Sequence, residues 1–303
     1  MVAITNNKGF PLALVKAVEN DSYSKGRADR SVTGLLAPPR QAALKEVYGD
    51  KITEDVSERT FALYGQLVHL LLERSGEQDR NALTEERMFT EVLGWTISGQ
   101  TDTITLTEDQ RSWVVSDYKF VTSYKFKRNY SGELVMPAEY EQQLNMYAHL
   151  LRENGFKVDG LKIVAIYRDW SKMEAKRDKN YPQIGAETHD VKLWSEEDAK
   201  AFMEERVRLH QDAEKSLGLP ECNDEERWAR PDKYALKTNA TSVRARKLFD
   251  SEVDAVTWAY ENKMKKGWVV EHRPGVNIRC ENYCLVSEYC EQFSALQAVQ
   301  NVN

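Results

Sequence analysis

The stretch MFTEVLGWTISGQTDTITLTEDQRSWVVSDYKF (residues 88–120) decides the fold. Apolar and polar residues alternate through MFTEVLGWTISGQTDTITLT and again through SWVVSDYKF, the period of strands with one buried face, and the polar turn TEDQR separates the two runs. An antiparallel meander over residues 84–119 is therefore expected. Before it, residues 55–75 predict an amphipathic helix with Val56, Leu63, Leu67, Leu70 and Leu71 near one face. After it, a helix over about 138–154 ends near Asn154-Gly155, where glycine suits the position just past a helix. LKIVAIYRDW then predicts a buried strand. The order helix, three strands, helix, strand is that of an α/β fold with a mixed central sheet flanked by helices.

Outside this frame, short helices are expected at 11–20 and 38–48, with Ser31 or Thr33 as a helix cap and Pro38-Pro39 as a break or first turn. A polar loop (171–183), a strand near 187–194, a charged helix over 195–216 and a helix near 251–266 follow. There is no internal repeat and no low-complexity linker. The expected organisation is a core over 1–217 with an N-terminal helical elaboration, and a cysteine-containing extension over 218–303 packed on the same domain.

The composition, 41% hydrophobic and 30% charged over 303 residues, is that of a chain able to bury a substantial core. No apolar run approaches a membrane span, and MVAITNNKGFPLALVKAVEN lacks the pattern of a signal peptide. A cytoplasmic location, in a bacterial or phage-infected cell, is the expectation. The net charge of −6 is uneven: bases cluster in YKFKRNY (124–130), KMEAKRDK (172–179), SVRARK (242–247) and KMKKGW (263–268). A local basic groove can bind phosphates despite an acidic total, because exposed charges are screened beyond about 8–10 Å. Aromatic neighbours, as in YKFKRNY, can stack on unpaired bases. P-loop, dinucleotide-binding, serine-hydrolase and zincin motifs are all missing from the sequence.

Within the frame, Asp117 and Lys119 are two apart on a predicted strand and share a face. A hairpin would bring Asp102, in GQTD (99–102), beside Asp117. Two carboxylates at close range raise one another's pKa unless a cation sits between them, and oxygen ligands suit Mg²⁺ or Mn²⁺. Lys119 could orient or deprotonate a water, or stabilise a pentacoordinate phosphorus. His69 lies on the preceding helix, and Gln143 and Tyr147 share a face of the following one. Such a set suits metal-dependent phosphodiester hydrolysis.

These motifs resemble those of the PD-(D/E)XK nuclease superfamily in its RecB-like branch. G-x-x-x-H is matched by Gly65 and His69, G-x-x-D by Gly99 and Asp102, (D/E)-x-K by Asp117 and Lys119, and Q-x-x-x-Y by Gln143 and Tyr147. The resemblance covers roughly residues 30–170. It implies a restriction-endonuclease-like core and metal-dependent cleavage of DNA. It also implies His69, Asp102, Asp117 and the Tyr118 carbonyl as metal ligands, Lys119 as the catalytic lysine, and Gln143 and Tyr147 as residues that position DNA and the site. Its further implications are an exonuclease acting on single strands or ends in recombination or repair, with no membrane partner. An endonuclease of the same superfamily and a catalytically inactive nucleic-acid-binding module are the alternatives. The segment from Ser31 to His69 also resembles phage-encoded nucleases of this type.

The only cysteines are Cys222, Cys280, Cys284 and Cys290, the last three as C-x₃-C-x₅-C. Four such thiols in a cytosolic protein suggest a metal site before disulfides. RecB-like nucleases of the CRISPR-adaptation and AddB types hold a [4Fe–4S] cluster on four cysteines, which this set resembles. It departs from them in having C-x₃-C for C-x₂-C and no cysteine before the histidine motif. Zn²⁺ is the alternative ligand, and free thiols a third reading.

Overall fold

The computed structural model describes residues 2–20, 25–76, 80–126, 128, 131, 133–215 and 218–300. The chain forms two compact units, one of residues 1–37 and 53–217, the other of 38–52 and 218–303. Residues 38–52, expected with the N-terminal elaboration, group instead with the C-terminal unit.

In the first unit the helix α1 (Val56–Gly76) precedes the strands β1 (Ala82–Val92), β2 (Trp95–Leu106) and β3 (Trp113–Val121). Then come α2 (Ala138–Glu153), β4 (Val158–Tyr167), β5 (Ala186–Val191) and α3 (Glu196–Lys215). The helix, three strands, helix, strand order is as expected. β1, β2 and β3 pair antiparallel in sequence, β3 and β4 pair parallel, and β5 closes the sheet antiparallel to β4. A two-residue strand, Arg30–Ser31, lies parallel to the start of β2. Ser31 caps the helix after it by accepting from the Gly34 amide. Gly155, at φ +86°, turns the chain after α2.

The core forms where α2 covers the sheet. Leu144, Met146, Leu150 and Leu151 of α2 are buried with Ile104, Val115, Leu161 and Ile163 of the strands, and Met203 and Val207 of α3 join them. Each such side chain contributes roughly 1.5–3 kcal/mol when fully buried. Two expectations fail here. Leu67, Leu70 and Leu71 of α1 are exposed rather than packed, because spacing dictates which residues share a face but not what covers it. The expected loop 171–183 contains a helix, Lys172–Arg177, capped by Ser171.

The second unit contains a three-stranded antiparallel sheet in the order Lys247–Phe249, Lys233–Lys237, Val269–Arg273. The helix Pro39–Tyr48 belongs to it through Arg40, whose Nη1 donates to the Leu219 carbonyl at 2.9 Å, and through Tyr48, whose ring stacks on Tyr289 at 4.4 Å. Among the described residues no helix is long and apolar enough to cross a membrane.

Candidate active site

The site opens where β2 loses a neighbour. Arg30–Ser31 pairs with β2 only as far as Ser98, and β3 pairs with it only from Thr103 onward. Along this edge Gly99–Asp102 therefore lack a ladder partner among the described residues. Asp102 fills the gap: its Oδ2 accepts a 2.7 Å hydrogen bond from the Tyr118 amide. His69 on α1 approaches the other oxygen, with Nδ1 3.5 Å from Asp102 Oδ1 and 3.6 Å from Glu85 Oε1. One ligand atom each from His69, Glu85 and Asp102 lies within 4.8 Å of the others.

Glu85 is absent from the expected site. It falls on β1 between Thr84 and Glu86, which pair with Thr103 and Thr101, so it stands opposite Asp102. Its φ of +53° is left-handed for a residue with a side chain, a local strain that interrupts the ladder there. Gln100 Nε2 donates to Glu85 Oε2 at 2.7 Å, and Arg87 in turn donates to Gln100 Oε1. A glutamate in TEER, in a chain with so many acids, carries no signal of its own; only its register with Asp102 marks it.

Electrostatics make this donor set suited to a cation. Burial, and then the charge of Asp117, push the Asp102 carboxyl up to about 7. His69 is raised, first by the Glu85 carboxylate beside its ring and, against the effect of burial, by the charges of Asp102 and Asp117. One imidazole nitrogen with several carboxylate oxygens suits Mg²⁺ or Mn²⁺, whose charge would offset the crowding of the acids. Asp117 does not join the close set among the described residues. Its buried Oδ2 stands 2.7 Å from Lys119 Nζ, an ion pair without hydrogen-bond alignment, so that oxygen has no hydrogen-bond donor.

Lys119 is held from three sides. Besides Asp117, its Nζ donates to Gln143 Oε1 at 3.0 Å and lies 5.2 Å from the centre of the Tyr140 ring. Gln143 Nε2 donates to Tyr147 Oη at 2.9 Å. The helix spacing that places residues 143 and 147 on one face thus carries a relay from tyrosine to lysine. Tyr140, one turn earlier and unforeseen from the sequence, is pushed up to about 12 by burial and keeps its proton. Gly99 is required by the same tyrosine: a Cβ there would lie 2.8 Å from Tyr147 Cδ1 and 3.3 Å from Val32 Cγ2. At Gly65 a Cβ would meet nothing within 4 Å, so packing does not demand that glycine.

The four cysteines lie in the second unit. Burial first, and then Glu226 and the other three thiols, push Cys222 up to about 12, and burial leads the raising of Cys280 and Cys284. Cys290 is buried and its Sγ accepts from Arg40 Nε at 3.2 Å. No three of these sulfurs lie within 4.8 Å of one another. Thiolates around a single zinc ion at 2.3 Å would stand about 3.8 Å apart. The set is therefore wider than a closed zinc site. Of the basic cluster YKFKRNY, Lys127, Asn129 and Tyr130 lie outside the described residues.

Comparison with known proteins gives one informative match. The family model described as the PD-(D/E)XK nuclease superfamily matches residues 76–291. No curated protein matches. Among solved structures, SSO0001 is 20% identical, with a TM-score of 0.44 over 65% of this chain and 84% of its own. A presumed exonuclease from Eubacterium rectale is 11% identical, with a TM-score of 0.33 over 59% of this chain and 64% of its own.

Proposed function

The chain belongs to the PD-(D/E)XK nuclease superfamily, and from that premise we propose that it is a Mg²⁺- or Mn²⁺-dependent deoxyribonuclease that degrades DNA from ends or as single strands. The observation that carries this reading is the convergence of His69, Glu85 and Asp102 beside Asp117 and Lys119. His69, Glu85, Asp102, Asp117 and the Tyr118 carbonyl would hold the ion. When bound, it supplies a positive charge that neutralises the phosphate oxygens and acidifies the attacking water. The rest is the work of side chains. Lys119, held between Asp117 and Gln143, orients that water and meets the charge that builds on the scissile phosphate. Gln143 and Tyr147 fix the lysine, and the Tyr118 amide fixes Asp102. The preference for ends rests on the RecB-like motifs alone.

In the second unit we propose a [4Fe–4S] cluster on Cys222, Cys280, Cys284 and Cys290. A cubane takes one thiolate on each of its four irons, and four cysteines are the number this chain carries.

Purified protein incubated with end-labelled single- and double-stranded oligonucleotides tests the activity. Mg²⁺ or Mn²⁺ should support degradation, EDTA should stop it, and Asp117→Ala should abolish it. Mononucleotide products would mark an exonuclease and internal fragments an endonuclease; no cleavage with either metal would sink the proposal. Anaerobically purified protein should be brown and contain iron. A colourless sample with zinc or no metal would rule the cluster out.

A further inference from the structure

We propose that Phe61, Tyr64 and Phe120, with the guanidinium of Arg168, form a stacking platform for the unpaired bases of single-stranded nucleic acid beside the active site. The inference rests on the nuclease reading for the identity of its ligand and on geometry for everything else. Phe61 and Tyr64 are 62% and 51% exposed on α1, one helical turn apart. Their ring centres are 6.2 Å apart, and the Tyr64 ring lies 6.0 Å from that of Phe120. Arg168 stands over the free end of the row, its Cζ 4.6 Å from the Phe61 ring centre. The Arg168 amide donates to the Val121 carbonyl at 3.0 Å, which ties this cation to the end of β3.

Three rings in a row, two of them more than half open to water, are a poor way to fill a core but a good surface for flat ligands. The placement says which ligand. The helix that carries the rings also carries His69, five residues beyond Tyr64 and eight beyond Phe61. At 1.5 Å per residue these rings lie about 7.5 and 12 Å from His69 along the helix axis. Phe120 follows Lys119 in β3, so it leaves the opposite face of the sheet from the lysine and meets α1 through Tyr64. A strand whose phosphate reaches the His69 end of α1 would carry its neighbouring nucleotides along that helix over these rings.

The chemistry narrows the choice further. In a duplex the base faces are occupied by one another, so only unpaired bases can stack here, and the guanidinium can contact a base face or a phosphate. The exposed Leu67, Leu70 and Leu71 continue the apolar surface of α1, but aliphatic side chains offer no such stacking. The rings, not the leucines, are what nucleic acid would select.

The test measures binding of a fluorescent oligothymidylate and of a blunt duplex in EDTA, where no cleavage interferes. It compares wild-type protein with Phe61→Ala, Tyr64→Ala, Tyr64→Leu and Tyr64→Trp, all at exposed positions where folding is checked by circular dichroism. Each loss of a ring should weaken oligothymidylate binding about 5- to 150-fold. Tyr64→Trp should hold it within about threefold, and Tyr64→Leu should fail like alanine, which separates stacking from mere apolar contact. Affinity for the duplex should change far less. Unchanged single-strand affinity in both alanine variants would overturn the platform. So would an equal loss for both ligands, or a wild-type dimer that Phe61→Ala converts to monomer, which would assign the face to a second copy of the chain. Hydrolysis of the oligothymidylate by wild-type protein with Mn²⁺ is scored separately. Its failure would remove the nuclease reading whatever the binding data say of the platform.

Discussion

At single residues, the site is a set of constraints that each side chain imposes on the next. Glu85 sits in a left-handed backbone conformation and is steadied by Gln100, so the protein accepts local strain to keep a carboxylate opposite Asp102. Glu85→Gln keeps the shape but removes the charge. It should weaken Mn²⁺ binding by about tenfold or more, read by calorimetry; unchanged affinity would remove Glu85 from the ion's ligands. Lys119→Ala should leave Mn²⁺ bound while lowering DNA hydrolysis about 10²- to 10⁴-fold. Equal losses of metal and activity would instead make the lysine a structural partner of Asp117. Gly99 is fixed by contact rather than chemistry. Gly99→Ala drives a Cβ into Tyr147, which should cost about 1–3 kcal/mol in urea unfolding and loosen the lysine relay.

At the level of elements, the sequence is legible wherever one period dominates. The alternation in residues 88–120 foretold β2 and β3, and the α2 pattern foretold both the helix and its Gly155 stop. Asp102, Asp117, Lys119, Gln143 and Tyr147 were visible because each sits at a fixed offset within a single element. Glu85 was not, since its place opposite Asp102 comes from the register between two strands, which no spacing within one element records. The exposed leucines of α1 fail for a related reason: periodicity does not reveal the covering partner. The buried Asn145 of α2 is a further case of meaning that exists only in three dimensions. Its side chain donates to the Lys192 carbonyl and accepts from the Trp194 amide, tying α2 to the segment between β5 and α3. Asn145→Leu keeps the branching and heavy-atom count of the side chain but strands both backbone groups, and should cost about 2–4 kcal/mol. A loss below half a kilocalorie would mean that water replaces the amide.

Across the whole molecule, protonation sets how the fold meets acid. Burial lowers the pKa of three histidines of the first unit, His149, His189 and His210, the last to about 4. His210 packs its Nε2 3.1 Å from the Leu35 carbonyl, with Arg206 bonded to the same oxygen. As pH falls below 6.5 the unfolded chain takes up a proton at each such site that the folded chain refuses, at His210 down to about 4. These groups therefore cost nothing above pH 6.5 and remove stability progressively below it. Asp102 and His69 work in the opposite sense when no metal is bound: their folded pKa values are raised, so the folded state holds the extra proton. The measured slope of stability with pH is the sum of both groups, and only a difference between proteins separates them. His210→Asn keeps a donor for the Leu35 carbonyl and deletes the titration. Its urea midpoint should lie at or below that of the wild type at pH 7.5, and the gap should narrow or reverse by pH 5. Parallel midpoints across that range would show that His210 takes up its proton in the folded state as readily as in the unfolded one.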